Sequence, residues 1–93
     1  MSFTPQSFDP HVGGIFNLVV GEQTLPLHLA QVEQLGPSIR DGGSFSMLFI
    51  GPQQPVLRQA IYTLQRDGLG DIELFIVPVG PQQGGMGYQA LFN

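Results

Sequence analysis

Every apolar stretch in this chain is short, because a glycine or a proline soon interrupts it. Thirteen glycines and eight prolines are spread through 93 residues. Glycine opens backbone conformations with positive φ, and proline fixes φ and withholds a backbone donor. A helix of ordinary length does not survive such punctuation. Strands of a few residues do, and the apolar residues between the breaks alternate with period two rather than recurring every three or four positions.

Six strands are read on that basis. Ile15–Val20 places Phe16, Leu18 and Val20 on one face. Thr24–Glu33 alternates Leu25, Leu27 and Leu29, and Pro26 says that it begins at an edge or bends at a bulge. With Gly21-Glu22-Gln23 as the turn, these two form a hairpin. Phe45–Ile50 puts Phe45, Met47 and Phe49 together. Ala60–Arg66 sets Ile61 and Thr63 against Tyr62 and Leu64, and Asp67-Gly68 suits a hairpin turn. Asp71–Val79 contains Phe75-Ile76-Val77, apolar on both faces, which is the texture of a strand covered on both sides. Met86–Phe92 closes the chain with Met86, Tyr88, Ala90 and Phe92 alternating. Gly36–Gly43, Gly51–Pro55 and Gly80–Gly85 read as connecting loops. Before the strands, Ser2–Phe8 reads as a short helical turn with Thr4 as cap and Pro5 at the first helical position. Phe3 and Phe8 anchor it, and Asp9-Pro10 ends it.

The expectation is an all-β domain over residues 1–93: a six-stranded antiparallel barrel or compact sandwich with a short N-terminal helical turn. Closure is attractive because so small a chain has little with which to shield two open edges. A domain of this length buries roughly 60–65% of its unfolded surface, so its stability is modest unless it associates.

The charge inventory narrows function. Ten residues are charged, none is lysine, and the net charge is −4. Arg40, Arg58 and Arg66 are scattered, so the concentrated positive footprint of a nucleic-acid binder or of electrostatic membrane attachment is missing. No apolar run approaches the roughly 20 residues of a spanning helix. No signal peptide is visible, which leaves a cytoplasmic protein or one exported or assembled without such a signal. Cysteine is absent, so disulfides and thiolate chemistry are too. The surface is carried by uncharged polar groups, which suits self-association or a place in an assembly.

Three stretches resemble a known family. They are Ser44-Phe45-Ser46-Met47-Leu48-Phe49 before Gly51-Pro52, then Leu74-Phe75-Ile76-Val77-Pro78-Val79-Gly80-Pro81, then Met86-Gly87-Tyr88-Gln89-Ala90-Leu91-Phe92-Asn93. With Phe8 and His11-Val12-Gly13, they make the chain similar over nearly its whole length to a family of small bacterial domains, the domain of unknown function DUF6916. The resemblance brings no catalytic residue and no cofactor. It implies a structural or assembly role beside collar-like proteins of phage-tail type. Family members carry an acidic residue after the last Gly-Pro where this chain has Gln82-Gln83, which argues against a charged or metal-binding loop there.

Few residues could do chemistry. His11 and His28 lie in different elements, and Asp9 near His11 is the one suggestive neighbour. Asp67, Asp71 and Glu73 cluster about a turn, with Arg66 as their nearest cation and no regular oxygen-rich loop around them. Gly13-Gly14 and Gly80–Gly87 lack the lysine and helix of a phosphate loop. Ser38, Ser44 and Ser46 have no elbow motif and no histidine close in sequence. No catalytic residue, metal ligand or cofactor is assigned.

The better candidates form an interface. Gln53-Gln54-Pro55 and Gln82-Gln83 sit on connectors with the same text, Gly-Pro-Gln-Gln. If both reach one barrel end, they make an uncharged hydrogen-bonding rim near Tyr62 or Tyr88, with Arg58 available to a partner carboxylate. The resulting expectation is a non-enzymatic structural or interaction domain with a protein partner, self or heterologous. The alternatives are a small barrel holding an apolar or neutral ligand, and a small enzyme using His11 or His28 with a carboxylate.

Overall fold

A computed structural model describes residues 4–36 and 44–92. A short helix α1 (Pro5–Phe8) and a 3-10 turn (Asp9–His11) lead into six strands: β1 (Ile15–Val20), β2 (Gln23–Gly36), β3 (Ser44–Gly51), β4 (Ala60–Arg66), β5 (Gly70–Gln82) and β6 (Gly85–Phe92). All neighbouring pairs are antiparallel, and the order β1-β2-β3-β6-β5-β4 closes on itself as a barrel. Of the two expected architectures, the closed one is formed.

The strand bounds of β1 and β4 match the alternation in the sequence. β3 exceeds its expected bounds by a single residue at each end and β6 by one at its start, and the other two run further. β2 continues to Gly36 by absorbing irregularities between Leu29 and Gln31 and between Gln34 and Gly36. β5 passes through its expected loop: after a bulge between Pro78 and Gly80, it pairs Gly80, Pro81 and Gln82 with Gly87, Met86 and Gly85. Only Gln83 and Gly84 are left to turn, both with positive φ, 52° and 81°. That is the conformation a tight two-residue hairpin requires. The expected loop at Gly36–Gly43 lies outside the described residues apart from Gly36, which ends β2.

At the N-terminus Thr4 takes the extended conformation of a cap residue, and its amide donates to Ser7 Oγ at 3.1 Å. Asp9-Pro10 does not stop the chain from coiling. Asp9 stays helical, and Pro10 enters a new, tighter turn near its start, where a missing N–H costs nothing. Phe3 lies outside the described residues, but Phe8 is an anchor, wholly buried.

The barrel interior is filled with side chains. Phe16, Leu18, Leu27, Leu29, Phe49, Leu64 and Ile76 are inaccessible or nearly so. A six-stranded barrel is narrow enough for inward residues to meet at its axis. Both ends are stopped. At the helical end Phe8 lies 5.9 Å from the Phe45 ring and 5.8 Å from the Phe92 ring, while Phe45 and Phe92 stack at 4.6 Å. At the other end the connector from β3 to β4 crosses the opening, with a cis Gln54–Pro55 bond on its way. It lowers Leu57 into the core, and the Leu57 N–H donates to Tyr88 Oη at 2.9 Å. Gly51 makes room there, since a Cβ on it would lie 2.6 Å from Leu27 Cδ2.

Closure is unequal around the ring. β1 meets β4 through two pairs, Asn17 with Gln65 and Leu18 with Leu64. Arg66 extends this seam toward the helical end. Its Nη1 donates to the Ile15 carbonyl at 3.2 Å, its Nε donates to His11 Nδ1 at 3.0 Å, and its guanidinium lies 5.7 Å from the Phe16 ring centroid. A Cβ at Gly14 would occupy the space of that guanidinium.

Candidate functional site

The two Gly-Pro-Gln-Gln segments do meet at one end of the barrel. The first follows β3 and the second finishes β5, and Gln53 Nε2 donates to the Gly84 carbonyl at 3.1 Å. Gln53, Gln54, Arg58 and Gln83 are exposed around this connector end, and Gln82 is half-buried. The two tyrosines behave otherwise than an interface rim requires. Tyr88 points into the barrel and is buried, so it is a structural residue and not part of the exposed rim. Tyr62 packs partly against the core and donates its hydroxyl to the Arg58 carbonyl at 2.7 Å. It braces the connector.

The chemistry-bearing residues are engaged in the fold or exposed. His11 accepts, through Nδ1, from the Arg66 guanidinium. His28 is on β2, paired with Ile15 and Ile50, and neither histidine donates to a carboxylate among the described residues. Asp67, Asp71 and Glu73 are exposed, and Arg66 pairs with none of them among the described residues because it is committed to the seam. No group of three His, Asp or Glu residues is placed to hold a metal ion among the described residues. No helix among them is long and apolar enough to cross a membrane.

What period-two alternation did not reveal is the outer face. Ile61 on β4 stands opposite Phe75 on β5, and both point outward. Ile61 is 67% exposed, Phe75 47%, and Leu91 on the next strand 48%. Val77 and Val79 continue the apolar surface along β5. The signal was in the sequence: Phe75-Ile76-Val77 reads as a strand covered on both faces, yet within this chain only the inner face is covered.

A second feature is a groove on the outside of the barrel, about 260 Å³, with β3 and β6 as its floor and the ends of β2 and β5 as its walls. Ser46 and Leu48 come from the floor, Gln31 and Glu33 from one wall, Val79 and Gln82 from the other. A third hollow follows the β1–β4 seam beside Asn17, Gln65 and Asp67.

No curated protein and no solved structure matches the chain. A family model does, over residues 3–92, nearly the whole length. With these motifs on a single closed barrel, the chain belongs to the family described as Domain of unknown function (DUF6916).

Proposed function

We propose that this domain is a non-enzymatic interaction module, a rigid barrel that contributes its outer surface to a protein assembly. The observation that carries the reading is the bare apolar face of Ile61, Phe75 and Leu91 across β4, β5 and β6. Apolar side chains side by side on an outer sheet face are the ordinary material of a contact surface. The sequence of β5 has the composition of a strand with partners on both sides.

Other features agree. The barrel core is packed with its own side chains and stopped at both ends, which favours surface contacts over an interior ligand. Among the described residues no three His, Asp or Glu side chains group as metal ligands, and His11 is engaged by Arg66, which gives the enzymatic alternative little support there. The assembly setting, beside collar-like tail proteins, comes from the family resemblance.

Molar mass by light scattering over a concentration series, for the wild type and Phe75→Glu, tests the reading. A discrete wild-type oligomer that Phe75→Glu reduces to monomer establishes self-association through this face. If wild type and variant are both monomeric throughout, the self-associating form is withdrawn. A photo-crosslinker placed at position 75 then decides on a heterologous partner, and failure to trap any discrete protein there removes the interaction reading.

A further inference from the structure

The groove over β3 and β6 is built in a way that sets it apart from the rest of the outer surface. Two irregularities flank it. β2 shifts register between Leu29 and Gln31, and β5 between Pro78 and Gly80. A bulge bends a strand and sharpens its twist. Here it turns the far halves of both wall strands around the floor, and the convex outside of a barrel becomes concave at this place. Two outward rows cross the floor: Glu33, Ser46 and Leu91 in one, and Gln31, Leu48, Gln89 and Val77 in the other.

Ser46 marks the floor. It is 8% exposed and lines the groove, so what remains accessible of it opens there.

The remaining lining defines what fits. Gln31, Gln82 and Gln89 supply primary amides, each able to donate and to accept as a peptide group does. Leu48 and Val79 supply aliphatic contact. Among the described lining residues Glu33 is the one ionised group, and Gln31 Nε2 donates to it at 3.4 Å. Among the described residues no arginine lines the groove, and the chain has no lysine, so the described lining offers a phosphate or carboxylate no cation. No aromatic ring lines it among the described residues, so a sugar finds no stacking platform there. Amides, a serine hydroxyl, aliphatic walls and one carboxylate complement an extended peptide that carries a basic side chain.

We infer that this groove binds an extended segment of a partner protein, with a lysine or arginine directed at Glu33 and its backbone held by the glutamine amides and the Ser46 hydroxyl. The inference rests on the interaction reading and names the chemistry of the partner. A second copy of the chain is a poor occupant. Arg66 is held by His11 and Ile15, which leaves few cations to offer.

A displayed library of random dodecapeptides, selected on the intact domain, tests this. The expected binders carry a lysine or arginine within an alternating apolar and polar pattern. Their affinity falls about tenfold on Glu33→Gln, the loss of one charge-assisted contact. It falls at least as far on Gln89→Arg, which puts a cation in the groove. Both positions are exposed, so both variants fold. Selection of no binder, of acidic binders, or of binders indifferent to both substitutions overturns the inference. So does a concentration-dependent dimer of the wild type, seen by light scattering, that Glu33→Gln and Gln89→Arg both abolish, which would identify a second copy as occupant. None of these outcomes depends on Phe75, so the groove can fail while the apolar face stands, and the reverse.

Discussion

Arg66 donates its Nε–H to His11 Nδ1 at 3.0 Å and so ties the segment before β1 to the last residue of β4. The ring needs this bond because β1 and β4 share only two ladder pairs. With its second contact to the Ile15 carbonyl, one planar guanidinium serves two acceptors that backbone pairing does not reach.

Removing that group should loosen the seam. Arg66→Ala is expected to cost about 1.5–3 kcal/mol, the range for hydrogen bonds made by a charged donor. Arg66→Lys should recover only part, because an ammonium lacks the fork that spans both acceptors. Urea unfolding measures both. A double-mutant cycle with His11→Ala isolates the pair, with a coupling of about 1 kcal/mol expected between residues in direct contact. Strict additivity would show that His11 is a bystander.

The opposite end depends on one hydroxyl. Tyr88→Phe keeps the ring and strands the Leu57 N–H in the core, which should cost about 1–3 kcal/mol. Amide exchange offers a second reading, since Leu57 should lose protection well before β3 or β6. Unchanged stability with unchanged exchange at Leu57 would mean that water replaces the phenol there and that the connector is not held by it.

Much of this fold is legible in the chain because inward residues alternate so regularly. Phe16 and Leu18 on β1, or Met47 and Phe49 on β3, could hardly face anywhere but a core, and glycine marks most of the turns. The overruns had a different cause. Gly80-Pro81 looks like a loop opening, but a bulge at Val79 restored the register, so β5 went on to pair with β6. The placement of the candidate rim residues was legible in part for a related reason. Gln53 and Gln83 do reach one end, while Tyr88 alternates inward with Ala90 and Phe92, and its own period assigns it to the core. The groove left no trace in local sequence. It depends on two bulges in strands far apart in the chain, and Ser46 looks like any other outward serine until the walls are in place.

Two glycines at the connector end should respond unequally to the same change. A Cβ at Gly51 meets the tip of Leu27, a flexible side chain, and the edge of the Tyr88 ring. A Cβ at Gly85 meets the Gly51 carbonyl, which belongs to a paired strand and cannot swing aside. Gly85→Ala is therefore expected to destabilise by about 1–3 kcal/mol or more, as overpacking does, and Gly51→Ala by less. Thermal unfolding of the two variants checks the order, and a reversed order would mean that the β3–β6 ladder yields more readily than the Leu27 rotamer.

Barrel closure leaves several strand segments with a neighbour on one side only, and prolines occupy two of them. β2 pairs with β1 from Gln23 but meets β3 only from His28 onward, and Pro26 lies in between. β5 loses β4 after Ile76, and Pro78 and Pro81 follow. A half-paired strand is a template for another chain, and proline blunts it by withholding the donor. Replacing Pro26 and Pro78 together by threonine, a good strand former, should leave the monomer folded while allowing edge-to-edge growth at high concentration. Light scattering would record a rising mass, and infrared spectra a new intermolecular sheet band. Phe75→Glu should not reverse that growth, because it acts on the outer face and leaves the strand edges as they are. If the threonine variant keeps the wild-type mass profile, the connector between β3 and β4 already covers these edges, and the prolines serve only to shape the strands.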